Sequence, residues 1–242
     1  MSQDEMRPRT DLKPLPRHTL GGGLNHHFAY EDPDGNILMR RRPFKDPAWE
    51  EIVKTNVAQW GFEGDGAKIL IRTDEEVHAF VKSALEADLR VLPATSDGDH
   101  GSFTPYLERA VTLDVFLAPA SDADAERTVN ELVADIAKAH RANIVYGDRY
   151  PHNILVDPTL GVVHIDFDFK LEGPGRELDL AQAIFYPVAL DRGRSPQILV
   201  PILESFRNDH DFTLVRKYVD AKERWSREKY GDLREVFQSL FE

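Results

Sequence analysis

Residues 144–169, IVYGDRYPHNILVDPTLGVVHIDFDF, constrain this chain more than any other stretch. Two apolar runs, Asn153 to Val156 and Val162 to Phe167, flank the turn-rich Asp157, Pro158, Thr159, Leu160 and Gly161, which predicts a hairpin. Asp148 precedes the hairpin, Asn153 opens it five residues on, and Asp166 follows thirteen residues later. Pro151 holds the loop between Asp148 and Asn153 tight, so that carboxylate and amide face a common point and the hairpin returns Asp166 beside them. Hard oxygen donors so placed suit Mg2+, which shares its coordination sphere with substrate phosphates. Asn153 and Asp166 are then the candidate metal ligands, and Asp148 is left to act as a base. Taken singly, Asp and Asn are ordinary turn residues. Three in this order, with apolar strands between them, point to a metal and phosphate site.

The same residues resemble the catalytic loop and metal-binding aspartate of the protein-kinase-like fold. The closer likeness is to its aminoglycoside phosphotransferase and choline kinase branch. That branch reads His-Gly-Asp-Leu-His-x-x-Asn-Ile-Leu and then Ile-Asp-Phe or Ile-Asp-Trp with a following acidic residue. Gly147, Asp148, Asn153, Ile154, Leu155, Ile165, Asp166, Phe167 and Asp168 fall in place, while Tyr146, Arg149 and His152 stand where the branch has His, Leu and often Gly. Arg149 and Tyr150 are expected beside the acceptor, whose identity they leave open. The resemblance implies an α+β, two-lobed fold with a small β-rich N-lobe and a mainly helical C-lobe, together with ATP and Mg2+ as cofactors. It adds Asp168 to the metal shell and gives Asp179, near the start of the next helix, the role of bracing the catalytic loop.

Earlier in the chain, TLGGGLNHHFAYEDPDGNILMRRRP places three glycines before two apolar runs joined by a turn at Asp32 to Asn36. Backbone N–H groups at Gly21, Gly22 and Gly23 can approach phosphate closely because no Cβ intervenes. This opening resembles the N-lobe of the same branch and puts Arg40 where kinases carry a phosphate-binding lysine, a change that alters head-group geometry. Lys68 and Arg72, on the strand-like AKILIR run of Ala67 to Arg72, are the alternatives. Asp46 and Pro47 predict a helix start. Thr73 and Glu76 form a capping-box pattern opening a helix to about Leu89, with Val77, Phe80, Val81, Ala84 and Leu85 on its core face. By resemblance this helix supplies the glutamate that pairs with the phosphate-binding base; Glu76 is the candidate, with Glu75 close behind and a capping role alone as the alternative for Glu76.

Strand-like runs at Arg90 to Ala94 and Ser102 to Glu108 lead to a hinge expected at Tyr106 to Ala110, with Glu108 among the nucleotide-binding residues. A short helix over Thr112 to Leu117 and an amphipathic one from Ser121 or Asp122 through His140 follow. His140 near that helix's C-terminus reads as a favourable end charge rather than a base. Beyond the glycine loop and the apolar helix carrying Asp179, three helices are expected, at about 196–207, 211–218 and 221–240. Trp225 and Tyr230 are expected to pack in the core or at its rim. The division is a lead-in over residues 1–18, an N-lobe over 19–110 and a C-lobe over 111–242.

Composition excludes some chemistries. The chain of 242 residues has no cysteine, so disulfides, thiolate metal sites and cysteine nucleophiles are ruled out. A net charge of -12 argues against nucleic acid as a partner. From Arg176 onward 11 basic residues face 12 acidic ones, so this excess acid says little about an acceptor held there. No apolar run reaches the ~18 residues of a membrane span, and MSQDEMRPRT lacks a signal-peptide core, so a cytoplasmic protein is expected. The function implied is transfer of the γ-phosphoryl group of ATP to a hydroxyl of a small molecule such as an aminoglycoside, an amino alcohol or a sugar. The alternatives are a kinase acting on a protein or a lipopolysaccharide sugar, and a nucleotide-binding regulatory pseudokinase. The oligomeric state is left open.

Overall fold

The computed structural model describes residues 12–15, 25–43, 51, 55, 58–66, 68–97, 101–191, 193–204, 206 and 208–242. The architecture is mixed α+β, an N-terminal antiparallel sheet followed by a mainly helical part, and the chain divides into two compact units.

The first unit comprises Met1–Val53 and Arg72–Glu108. Its sheet holds β1 (Lys13–Pro14), β2 (Asn25–Glu31), β3 (Ile37–Pro43), β5 (Thr95–Ser96) and β6 (Ser102–Pro105) in the order β1-β2-β3-β6-β5. The β2–β3 turn forms because Asp32 Oδ1 accepts the N–H groups of Asp34 and Asn36 at 3.0 and 2.8 Å, and Gly35 takes φ 82°. Helix α1 (Asp74–Glu86) begins at the expected capping box, with both reciprocal Thr73 and Glu76 bonds present. Val77, Val81 and Ala84 are buried on its inner face, whereas Leu85 is exposed. The expected strand at Arg90 to Ala94 reduces to a single bridge at Val91. Pro93 has no N–H to give a ladder.

The second unit comprises Lys54–Ile71 and Arg109–Glu242. Residues 54–71 therefore group with the helical part rather than with the N-lobe of the sequence reading. The reason is pairing: β4 (Lys68–Ile71) runs antiparallel to β10 (Phe169–Glu172), with Ile71 opposite Phe169 and Lys68 opposite Glu172. A second sheet orders β7 (Val111–Thr112), β8 (Ile154–Asp157) and β9 (Gly161–His164). The β8–β9 hairpin closes where Asp157 Oδ1 accepts the Thr159 and Leu160 N–H groups at 2.8 and 3.0 Å.

The helices are α2 (Leu113–Leu117), α3 (Asp122–Arg141), α4 (Gly175–Leu190), α5 (Ser195–Glu204), α6 (Phe212–Tyr230) and α7 (Arg234–Phe241). Ser121 caps α3 by accepting the Asp124 N–H, and Val129, Leu132, Val133 and Ile136 on its inner face are fully buried. Helix α4 is buried over nearly its whole length and packs against α3 and α6. Trp60 meets Phe185 and Tyr186 of α4 edge-on at 5.6 and 5.9 Å, and Asp65 binds Lys217 of α6 at 2.6 Å, which explains why this segment belongs here. The break expected between 218 and 221 is absent. Helix α6 runs on to Gly231, whose φ of 73° ends it. Among the described residues no helix is long and apolar enough to cross a membrane.

Candidate active site

The loop 146–153 and the hairpin after it lie within the second unit. Gly147 takes φ 99°, and a Cβ there would meet the Phe169 carbonyl at 2.8 Å, so the position before Asp148 requires glycine. Pro151 opens a 3-10 turn, Pro151–Asn153, that carries Asn153 back toward Asp148. The Asn153 Nδ2 donates to the Asp148 backbone carbonyl at 3.1 Å and to its Oδ2 at 3.2 Å. Both partners are pure acceptors, so the amide can be oriented only one way. Its Oδ1 is turned from Asp148 and accepts no hydrogen bond from a described residue, as a metal ligand requires. The Asn153 carbonyl meanwhile accepts the Ile165 N–H at 3.0 Å, pinning the loop to the segment that carries Asp166.

Asp166 follows β9 with φ 59°, a left-handed conformation uncommon for any residue but glycine, and its side chain is exposed. Asp168, two residues on, is buried, so the two carboxylates are presented differently. Asp148 is half-buried. Burial raises its pKa above the ordinary carboxylate value, against the opposing effects of Arg149, the Tyr150 N–H, Asn153 and Lys222. A carboxylate shifted in that direction is the better proton acceptor.

Arg149 is fully buried. Its side chain turns inward, whereas the sequence reading expected it to be presented beside an acceptor. Its guanidinium donates to the carbonyls of Asn153 at 3.2 Å, Ile165 at 3.2 Å and Asp166 at 3.0 Å, and lies 5.3 and 5.2 Å from the Tyr146 and Phe167 ring centroids. Burial lowers its pKa, while Asp179 and Asp148 support the charge. The side chain thus ties together the backbone at both proposed metal ligands.

Helix α4 holds the other side of the loop. Asp179 accepts the Tyr146 N–H at 2.6 Å and the Gly147 N–H at 2.8 Å, and Gln182 donates to the Gly147 carbonyl at 3.0 Å while accepting the Arg149 N–H. His140 Nε2 lies 3.4 Å from Asp179, and His140 Nδ1 lies 2.8 Å from His210 Nε2. Asp179→Asn leaves one acceptor oxygen and turns an amide N–H toward a backbone N–H. It is expected to cost about 1–3 kcal/mol, read as a lower midpoint in urea.

Gly21, Gly22 and Gly23, and the helix start at Asp46 and Pro47, are outside the described residues. Arg40 on β3 binds the buried Asp97 at 2.6 Å, and Asp97 also accepts the Gly101 N–H at 2.9 Å. The Glu76 carboxylate accepts the Thr73 N–H at 2.8 Å as half of the capping box, and it is Asp74, not Glu76, that approaches β3, 3.6 Å from Arg41. Lys68 is exposed on β4, the Arg72 guanidinium lies 4.1 Å from the Phe80 ring centroid, and Glu108 is exposed in a turn. Asp148, Asn153, Asp166 and Asp179 are thus joined by one bonded framework in the second unit, and Arg40, Glu76 and Glu108 belong to the first.

Two features escape sequence reasoning. Gln182 is one turn beyond Asp179, a spacing that could have flagged it. Lys222 is buried on α6, where it donates to Gln59 at 2.5 Å, and nothing in its local pattern marks it. Among the described residues no group of three or more His, Asp or Glu side chains is arranged to hold a metal ion. The Asn153 amide and the exposed Asp166 carboxylate are hard oxygen donors of the kind that Mg2+ accepts alongside phosphate and water. No protein-family model matches the chain, and no curated protein is similar to it in sequence.

Proposed function

We propose that this protein has a protein-kinase-like fold and is a Mg2+-dependent phosphotransferase that moves the γ-phosphoryl group of ATP to a hydroxyl of a small molecule. The observation that carries the reading is the Asn153 amide, fixed by Asp148 so that its oxygen is free for a cation, with Arg149 joining it to the backbone of Asp166. Asn153 and Asp166 would hold Mg2+, which supplies charge neutralisation at the phosphates. Asp148 orients the acceptor hydroxyl and takes its proton as the new P–O bond forms and the bond to the ADP oxygen breaks. Asp179, Gln182 and Arg149 keep that carboxylate in place, so the rate derives from positioning more than from covalent chemistry.

Asp166→Asn tests the metal assignment, because asparagine tolerates the left-handed backbone but lacks the charge. The expected outcome is an unchanged melting temperature and a nucleotide affinity that no longer depends on Mg2+. Retained Mg2+ dependence removes Asp166 from the metal site. One observation favours a second reading, a nucleotide-binding regulatory protein: the cation at the phosphate-binding position, Arg40, is already paired with Asp97. Nucleotide binding without turnover in the presence of any acceptor supports that reading.

A further inference from the structure

Helix α6 carries two lysines that form no ion pair with a described carboxylate. Lys222 is 6% exposed, yet its ammonium donates to the neutral Gln59 amide and lies 5.3 Å from the Trp60 ring centroid. Lys229, seven residues on and so on the same helix face, donates to the Tyr150 hydroxyl at 3.4 Å. Neither forms an ion pair with a described residue, whereas their neighbours Lys217 and Arg227 are paired with Asp65 and Glu223. A cation this deeply buried is ordinarily matched by an anion. Burial, with repulsion from Lys229, lowers the Lys222 pKa to about 8, against a raising effect of Asp148. The tie to the candidate active site is Tyr150, which Lys229 meets and which lies two residues beyond Asp148 on the same loop. Trp225, one turn from each lysine, is 60% exposed and leaves an aromatic face beside them.

We infer that Lys222 and Lys229 receive a carboxylate or phosphate group on the phosphoryl acceptor, so that the acceptor is an anionic, sugar-like molecule rather than an aminoglycoside or amino alcohol. The inference rests on the phosphotransferase reading for the word acceptor. The anion site itself stands on the two lysines. An ammonium-bearing acceptor would meet two like charges beside Asp148, whereas an acid replaces the missing counter-ion and brings its hydroxyls to the Asp148 side of Tyr150.

The test is titration calorimetry without nucleotide, using glucuronate and glucose 6-phosphate as acidic probes and glucosamine as the basic one. Wild type, Lys222→Met and the more conservative Lys229→Gln are compared. The expected result is that at least one acid binds the wild type about 10-fold or more tighter than glucosamine, and that each substitution weakens the acid by about 10-fold, the scale of one charged hydrogen bond. Equal or tighter binding of glucosamine, acid binding indifferent to both substitutions, or no acid binding at millimolar concentration overturns it. Lys229→Gln keeps the test decisive if Lys222→Met does not fold. Acid-stimulated ADP release from Mg·ATP is read separately. Acid binding without such release leaves the anion site standing and counts against the phosphotransferase reading instead.

Discussion

Arg149→Ala is expected to destabilise the protein by about 3–5 kcal/mol, measured by urea unfolding, the range for removing one partner from a buried charged network. Three backbone carbonyls, those of Asn153, Ile165 and Asp166, lose a donor at once. The cation that Asp179 and Asp148 support disappears with them, and the Tyr146 and Phe167 rings lose the guanidinium beside them. Arg149→Lys should recover part of the loss, because an ammonium keeps the charge but cannot fork across carbonyls on two segments. An arginine lying at the acceptor would behave differently, since exposed substitutions stay within about 0.5 kcal/mol.

That inward arginine shows where sequence reading stops. The hairpin was legible because Asp157, Pro158 and Gly161 are turn formers between β-branched runs, and the α1 start because Thr73 and Glu76 satisfy each other locally. The pairing of Asn153 with Asp148 was legible because a tight Pro151 turn separates them, whereas Asp166 is joined to them only through its backbone, by Arg149. Arg149 was misplaced because arginine is nearly always exposed, and only the fold supplies three carbonyls around one guanidinium. The β4 strand could be read from AKILIR, but its partner β10 lies about a hundred residues away, and no local pattern names a partner at that distance. The sequence reading set two helices, 211–218 and 221–240, where α6 is continuous; Asp220, in the expected gap, lies 3.8 Å from Arg216 one turn earlier. Lys222 was passed over for a like reason. Its burial comes from Gln59 and Trp60, which the chain brings from more than 150 residues away.

The second large effect concerns Asp148. Asp148→Asn is expected to lower turnover about 10²- to 10⁴-fold, the usual contribution of a positioned base. The same change should raise the melting temperature at neutral pH. Burial raises the folded-state pKa of this carboxyl above its unfolded value, so the group favours folding at pH values below the unfolded pKa. That favourable contribution is lost as pH rises through the folded value, and at pH 7 the ionised form is a cost that the neutral amide avoids. The gain should shrink on acidification, as the wild-type carboxyl itself becomes protonated. Activity and stability moving in opposite directions would mark Asp148 as a residue kept for chemistry rather than for folding. A merely structural aspartate would lose both.

The most direct test of the account is Mg2+-dependent release of ADP from ATP, followed with wild type and Asp148→Asn side by side across acidic, neutral and basic hydroxyl acceptors. The expected result is release that requires Mg2+, rises with an acceptor and collapses in the variant while the variant stays folded. Equal rates in the two proteins, or nucleotide bound by the wild type with no turnover on any acceptor, would contradict it.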